Sequence, residues 1–215
     1  MLSLYTYYRS SAAFRVRIAL ELKGLAYESI PVHLLRDGGS QHSAEFSARN
    51  PQRLIPALDV DGRTLTQSLA ILEYLEEAHP QPALLPADAA GRARVRALAL
   101  AIACDIHPLN NLRVLRYLNA TLNVDEPRRD AWYRHWIDTG FGAIEQMLER
   151  DRPAGGYCHG AAPTLADCCL VPQVFNAHRY RIPLEGYPNI RAVHEECMRL
   201  EAFQRAAPAA QPDAE

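Results

Sequence analysis

Two adjacent serines, Ser10 and Ser11, flanked by Arg9 and Arg15, are the residues of this sequence best placed to do chemistry. They follow a short apolar run, Leu2 to Tyr7. They open a stretch in which Phe14, Ile18 and Leu22 recur at the spacing of one helix face. A hydroxyl at a helix start accepts a bond from a free amide of the first turn, and the helix dipole favours negative charge there. These residues describe a place to hold a thiolate or a carboxylate, with cationic charge on either side. Read alone, they equally describe two helix caps and two solvated arginines.

Two further groups carry chemistry of the same kind. Ile55-Pro56 stands directly before a strand-like run. A proline there has no amide to give to a sheet and adopts the cis form more readily than other residues. The bend leaves the amide and carbonyl of Ile55 for an extended peptide. Gln67-Ser68 opens a second helix, another amide-rich anion site. Two helix starts and one open strand edge at one sheet end make a slot for a small acidic peptide; singly, they are a strand boundary and a cap. His107, Asn110, Asn111 and Arg113 cluster around Pro108, and Arg179 follows a later helix beside His178. These suit a polar, cationic cleft or an ordinary solvated helix face. No serine-histidine-acid hydrolase motif, P-loop or GxGxxG occurs, and Gly38-Gly39 lacks the strand-to-helix setting a phosphate loop needs. The five cysteines form an odd set with no CxxC and no zinc-ligand spacing to histidine. They predict no metal, and reduced, mostly core thiols in a cytoplasmic protein.

The elements that must position these residues follow from the pattern. Leu2–Tyr7 predicts a strand and Ser10–Lys23 a helix ended by Gly24. Residues 27–32 predict a second strand, parallel to the first through a right-handed crossover. Residues 33–50 read as a loop with one helical turn. Residues 55–60 and 63–65 read as a hairpin closed by Asp61-Gly62, and the helix from Gln67-Ser68 is stopped by Pro80. That β-α-β-loop-β-β-α order is the order of a thioredoxin-like α/β unit over residues 1–80. A proline-rich link, 81–87, precedes a region from residue 88 to 215 without strand signals. There the sequence predicts a long helix from Asp88 through Leu118 bent at Pro108, and a helix over 127–150. After a loop at Gly155-Gly156, Thr164-Leu165-Ala166-Asp167 has the capping-box form and heads an apolar helix to about His178. Two shorter helices follow Pro188, and a disordered tail is expected from about residue 208.

Composition bounds the function. The chain has 215 residues, 48% hydrophobic and 22% charged, which allows a substantial core and excludes global disorder. A formal net charge of -2 argues against nucleic acid as a partner. No long uncharged apolar run predicts a membrane span, and Met1–Tyr5 has no basic region or cleavage site of a signal peptide.

In combination these motifs resemble the cytosolic glutathione transferases. The carriers are Tyr8-Arg9-Ser10-Ser11 with Phe14-Arg15-Val16-Arg17-Ile18-Ala19-Leu20, then Asn50-Pro51-Gln52, Ile55-Pro56, Gln67-Ser68-Leu69-Ala70-Ile71 and Leu165-Ala166-Asp167. The first is similar to the zeta class, which includes maleylacetoacetate and maleylpyruvate isomerases. Cys104-Asp105-Ile106-His107-Pro108-Leu109-Asn110-Asn111 and Leu170-Val171-Pro172-Gln173-Val174 also look like bacterial members. The resemblance covers nearly the whole chain. It implies the fold of that family: an N-terminal thioredoxin-like α/β glutathione-binding domain followed by an all-α substrate-binding domain.

The resemblance also implies roles. Ser10, with Ser11 beside it, supports the glutathione thiolate; Gln67 and Ser68 hold the γ-glutamyl end, and Ile55 pairs with the cysteinyl part. Gln41, His107 and Asn111 fall at further glutathione contacts, and Arg9, Arg113 and Arg179, with Arg15 as a further cation, where substrate carboxylates are expected. The family's usual cysteine two residues after the serine is Ala12 here, and Phe14 stands where Trp or Tyr is more usual. The implied reaction is glutathione-dependent cis-trans isomerisation of a dicarboxylate diketo acid. Maleylacetoacetate, in tyrosine and phenylalanine breakdown, is the first substrate reading; maleylpyruvate, in gentisate-type degradation, is the alternative. A general transferase or peroxidase, and a non-catalytic interaction module, are the further alternatives. A homodimer is implied, with residues 63–75 and the Arg92-Arg94-Arg96 region near its interface.

Overall fold

The computed structural model describes residues 1–151 and 155–215. The elements in chain order are β1 (Leu2–Thr6), α1 (Ser11–Leu22), β2 (Tyr27–Pro31), α2 (Ala44–Arg49), β3 (Ala57–Val60), β4 (Arg63–Thr66) and α3 (Ser68–Ala78). Helices follow: α4 (Ala89–Leu100), α5 (Leu112–Ala120), α6 (Glu126–Asp151), α7 (Leu165–Arg179), α8 (Pro188–Cys197) and α9 (Glu201–Ala206). The chain divides into two compact units, Met1–Leu84 with Met198–Glu215, and Leu85–Cys197.

The first unit is built on a four-stranded sheet in the order β2-β1-β3-β4. β1 and β2 are parallel, while β3 is antiparallel to both β1 and β4. The β1–α1–β2 crossover follows from alternating apolar runs on either side of a helix. The β3–β4 reversal follows from Asp61-Gly62, whose φ angles of 47° and 80° are those of a tight hairpin turn. Thr6 is opposite Pro31, Tyr5 opposite Ala57, and Ala57 opposite Thr66. The ends of β1, β2 and β4 and the start of β3 therefore lie along one edge of the sheet.

Helix α1 departs from the amphipathic expectation. Every residue from Ser11 to Leu20 is buried, including Arg15 and Arg17. A helix buried on all sides is packed from more than one direction; α1 packs against both α3 and α9. Its end is held as well: Gly24 adopts φ +63°, and buried Lys23 donates to Glu76 (2.9 Å) and to the carbonyls of His79 and Pro82.

Three expectations are corrected within this unit. Residues 33–50 contain more than one helical turn: 3-10 turns at Arg36–Gly38 and Ser40–His42 precede α2. There Ser43 accepts from the Phe46 amide at 3.1 Å and Phe46 is buried. The expected disordered tail is ordered. Pro208–Ala210 forms a turn, and buried Gln211 donates to the carbonyls of Arg205 and Ala207. Residues 198–215 also group with the sheet unit rather than with the helices that precede them.

The second unit is all-helical among its described residues. Val95, Leu98, Ile102, Ile106, Ile137, Phe141, Ile144, Leu170, Val174 and Ile190 supply its interior. The expected long helix bent at Pro108 is instead interrupted. After α4 the chain runs through a π-helical turn at Ala101–Ile106, in which the His107 amide reaches back to the Ile102 carbonyl. Pro108 cannot donate a helical bond. The helix restarts only at α5, where the Asn111 side chain accepts from the Arg113 amide. Gly140 of α6 makes room for this turn, because a Cβ there would lie 2.2 Å from Ile106 Cδ1.

Candidate active site

Ser10 caps α1. Its Oγ accepts from the Ala13 amide at 3.2 Å, and its own amide donates to the Tyr7 carbonyl at 2.9 Å. Accepting with a lone pair leaves the hydroxyl proton for a second partner. Ser11, grouped with Ser10 in the sequence as a helix cap, is instead the first residue of the helix and is buried. No acidic residue stands in the first turn of α1, so the dipole there remains available to an external anion.

The sheet edge defined above gathers the other predicted residues of this unit. Ile55 lies two residues before β3, joined to Pro56 by a cis peptide as the sequence anticipated. Asn50, 2% exposed, shapes the loop before it: its Nδ2 donates to the Leu54 carbonyl and its Oδ1 accepts from the Gln52 amide. Gln67 follows β4 with φ 68°, in the left-handed region that a non-glycine residue adopts at a cost. Its side chain does not cap α3 but donates to Gln52 Oε1 at 2.8 Å. The first turn of α3, like that of α1, contains no acid. Gln41 is buried and its Oε1 has no hydrogen-bond partner. Gly39 permits this packing: with φ +108°, it approaches so closely that a Cβ would stand 2.4 Å from Gln41 Oε1.

The arginines divide. Arg9 is held over the Tyr7 and Tyr8 rings, at 5.8 and 5.3 Å, and donates to the Tyr7 hydroxyl at 3.1 Å. Arg15 is 2% exposed and donates to Ser68 Oγ at 3.1 Å. It therefore ties α1 to the start of α3 rather than facing a substrate as a solvated cation. Arg17, which sequence reasoning passed over, is fully buried. It donates to Thr6 Oγ1, to the Tyr7 and Tyr8 carbonyls and to the Ala206 carbonyl. Burial pulls its guanidinium down to about 10, which leaves it charged at neutral pH. No local signal marks it, since Arg15 and Glu21 share the same helix.

At the end of β2 a cavity is lined by Pro31, His33, Arg36, Ser40, Asp213 and Glu215. Its arginine already meets a carboxylate: Arg36 bonds Glu215 Oε1, and His33 Nε2 lies 3.3 Å from the same oxygen. It is not an open anion site.

In the helical unit, Asn111 is committed to the cap of α5, while Arg113 and Arg179 are exposed. Arg179 ends α7 with its guanidinium 6.0 Å from the Tyr180 ring, and Tyr180 stacks on Tyr133 at 3.5 Å. His107 is half-buried at the end of the π-helical turn. Four cysteines are buried and Cys104 is exposed, all unbridged. Among the described residues no cluster has the makings of a metal site.

A thioredoxin-like sheet with two acid-free helix starts at one edge, followed by a helical unit, is the architecture of glutathione transferases. The family model for the glutathione S-transferase N-terminal domain matches residues 4–83, and that for the C-terminal domain matches residues 129–196. The chain belongs to the glutathione S-transferase family. It is 54% identical over 214 residues to a probable maleylacetoacetate isomerase of Vibrio cholerae, covering 99% of this chain and 98% of the relative. A holo structure of maleyl pyruvate isomerase, a bacterial glutathione S-transferase in the zeta class, superposes with a TM-score of 0.96. It is 53% identical and covers 99% of this chain and 100% of its own. The maleylacetoacetate isomerase of Methylobacterium extorquens AM1, solved with malonate and glutathione bound, is 42% identical with a TM-score of 0.94. It covers 99% of both chains.

Proposed function

We propose that this protein is a glutathione-dependent cis-trans isomerase that converts maleylacetoacetate to fumarylacetoacetate in tyrosine and phenylalanine breakdown. The observation that carries the reading is the single sheet edge bearing Ser10, Ile55 and Gln67-Ser68, with two helix starts free of acid. The fit to glutathione rests on the chemistry of these groups. The start of α3 offers backbone donors to a carboxylate, Gln41 Oε1 is a buried acceptor without a partner, and Ser10 has a proton to give.

Bound glutathione supplies a thiolate whose addition to the cis double bond leaves a single bond that rotates before the thiolate departs. The protein's task is to favour that anion near neutral pH, since an unperturbed thiol titrates at about 8.5. Ser10 donates its hydroxyl proton toward the sulfur, and the α1 dipole adds to this. Gln41, Ile55, Gln67, Ser68, His107 and Asn111 are assigned to the rest of the tripeptide. Arg9, Arg113 and Arg179 are assigned to the carboxylates of the diacid, which guanidinium forks match. Buried Arg15 steadies Ser68. Ala12 removes any contribution from the family's usual cysteine, so Ser10 works without it.

Maleylpyruvate is the second substrate reading, favoured by the 53% identity to a maleyl pyruvate isomerase. Turnover of both diacids with and without glutathione tests the proposal. A larger kcat/KM for maleylpyruvate moves the assignment to that substrate, and no glutathione-dependent turnover of either overturns it. We further infer a cytoplasmic homodimer. Among the described residues no helix is long and apolar enough to cross a membrane. Residues 63–75 and the Arg92-Arg94-Arg96 region are assigned to the dimer interface, where Arg94 also donates to the carbonyls of Cys158 and Met147 within its own chain. Sedimentation as a monomer at micromolar concentration overturns the dimer.

A further inference from the structure

The short turn that carries Ser10 is held by two side chains that no sequence motif connects. Between Thr6 and Ser10 the chain leaves the sheet, so its peptide groups need other partners. Arg17 supplies them from one side: Nη1 reaches Thr6 Oγ1 at 3.0 Å and the Tyr7 carbonyl at 3.4 Å, and Nη2 the Tyr8 carbonyl at 3.0 Å. The Tyr8 amide points the other way and donates to Asp213 Oδ2 at 3.0 Å, 205 residues distant in sequence. The second carboxylate oxygen, Oδ1, is buried without a hydrogen-bond partner. The segment that brings Asp213 there is itself anchored. Arg17 Nε donates to the Ala206 carbonyl at 2.9 Å, and Gln211 to the carbonyls of Arg205 and Ala207.

We propose that Asp213 is a positioning residue for the thiolate site: with Arg17 it clamps the Tyr7–Tyr8 peptide and so fixes where the Ser10 hydroxyl stands. The proposal rests on the reading of Ser10 as the group that supports the glutathione thiolate. A carboxylate accepting a backbone amide makes one of the stronger hydrogen bonds. Two residues of chain separate that amide from Ser10. Without the bond the turn retains Arg17 on its carbonyls but loses its hold on the Tyr8 amide. The Ser10 hydroxyl then samples positions away from the sulfur, and the thiolate loses stabilisation without any loss of core.

The test begins on the unmutated protein without glutathione. The Tyr8 amide exchanges with deuterium as slowly as the amides of β1; exchange at the rate of an unstructured peptide overturns the clamp. In Asp213→Ala the amides of Tyr8 to Ser10 exchange about ten-fold faster while those of β3 and α3 do not change. The pH titration of bound thiolate, followed by its ultraviolet absorbance, moves to higher pH, and turnover falls about ten-fold at neutral pH with smaller loss in glutathione affinity. Asp213→Asn keeps an acceptor oxygen in place and recovers most of the loss. Glu215→Gln, which alters the neighbouring contacts to His33 and Arg36 but not the Tyr8 amide, leaves the thiolate titration unchanged. Unaltered exchange and titration in Asp213→Ala overturn the inference, as does an Asp213→Asn variant no better than Asp213→Ala. Absence of thiolate absorbance in the unmutated protein overturns the glutathione reading instead, and the exchange rates still decide the clamp.

Discussion

The starts of α1 and α7 present the same orphan amides and dispose of them in opposite ways. At α7 the chain closes the end with its own charge. Asp167 is fully buried. Its Oδ2 accepts from the amide and hydroxyl of Thr164, both at 2.7 Å, and its Oδ1 from the Cys158 amide at 2.8 Å, with the Cys197 thiol at 3.7 Å. Burial raises the carboxyl's pKa, and these donors oppose the rise. The same burial, with Asp167 beside them, pushes the Cys158 and Cys197 thiols up, so neither is a nucleophile. At α1 the cap is a neutral hydroxyl and no acid follows. A helix end saturated by an internal carboxylate is structural; one left short of negative charge has electrostatic room for a ligand's anion.

That contrast is open to test at both ends. Asp167→Ala carries the largest expected effect. Removing a buried charged partner and leaving its donors unpaired costs about 3–5 kcal/mol, read in urea unfolding. Glutathione affinity of the remaining folded protein does not change. A variant of normal stability that loses activity would reverse the roles of the two helix starts.

Ser10→Ala reads the other end. Loss of the cap costs about 1 kcal/mol of stability. Loss of a bond to the thiolate costs roughly 1.5–3 kcal/mol, a ten- to hundred-fold fall in turnover. Unchanged isomerase kinetics at neutral pH would assign activation to the dipole alone.

Arg179→Ala is milder. It raises the Michaelis constant for the diacid about ten-fold, the loss of one charge-assisted bond, and leaves turnover of a neutral electrophile such as chlorodinitrobenzene as it was. Equal loss of both activities would mark a structural arginine. Loss of neither would mark one that faces solvent.

The smallest effect concerns the α7–α8 pairing. Burial, then the neighbouring His178, lower His194 from 6.5 to about 4; the two rings are 5.6 Å apart. The unfolded chain therefore binds this proton before the native state does. The stability held by neutral His194 is complete above pH 6.5 and is lost as pH falls toward about 4. For a partly exposed ring this amounts to about 1–2 kcal/mol. His194→Gln flattens that part of the stability–pH curve, and an unchanged slope shows that the ring is solvated.

Much of this protein is written in local pattern. The strands, the turn at Asp61-Gly62, the caps at Ser10 and Thr164 and the helix start at Ser68 follow from side chains that act on their own neighbourhood, a few residues away. The candidate site is legible to the same extent: Ser10, Ile55 and Gln67-Ser68 stand on recognisable starts and bends, and the sheet register only brings them to one edge. What the tertiary structure decided are contacts whose partners are far apart in sequence. Arg15 reads as a solvated or substrate-facing cation, and Arg17 as nothing in particular, because nothing near them in sequence says that α1 is covered by both α3 and α9. The stretch after 207 reads as disordered because it is polar and proline-rich, yet Asp213 binds the Tyr8 amide, 205 residues away. The break after α4 depends on Ile106 meeting a glycine of α6. A hydrogen bond between residues 8 and 213 leaves no period or composition to read. It exists only once the fold has brought the two together.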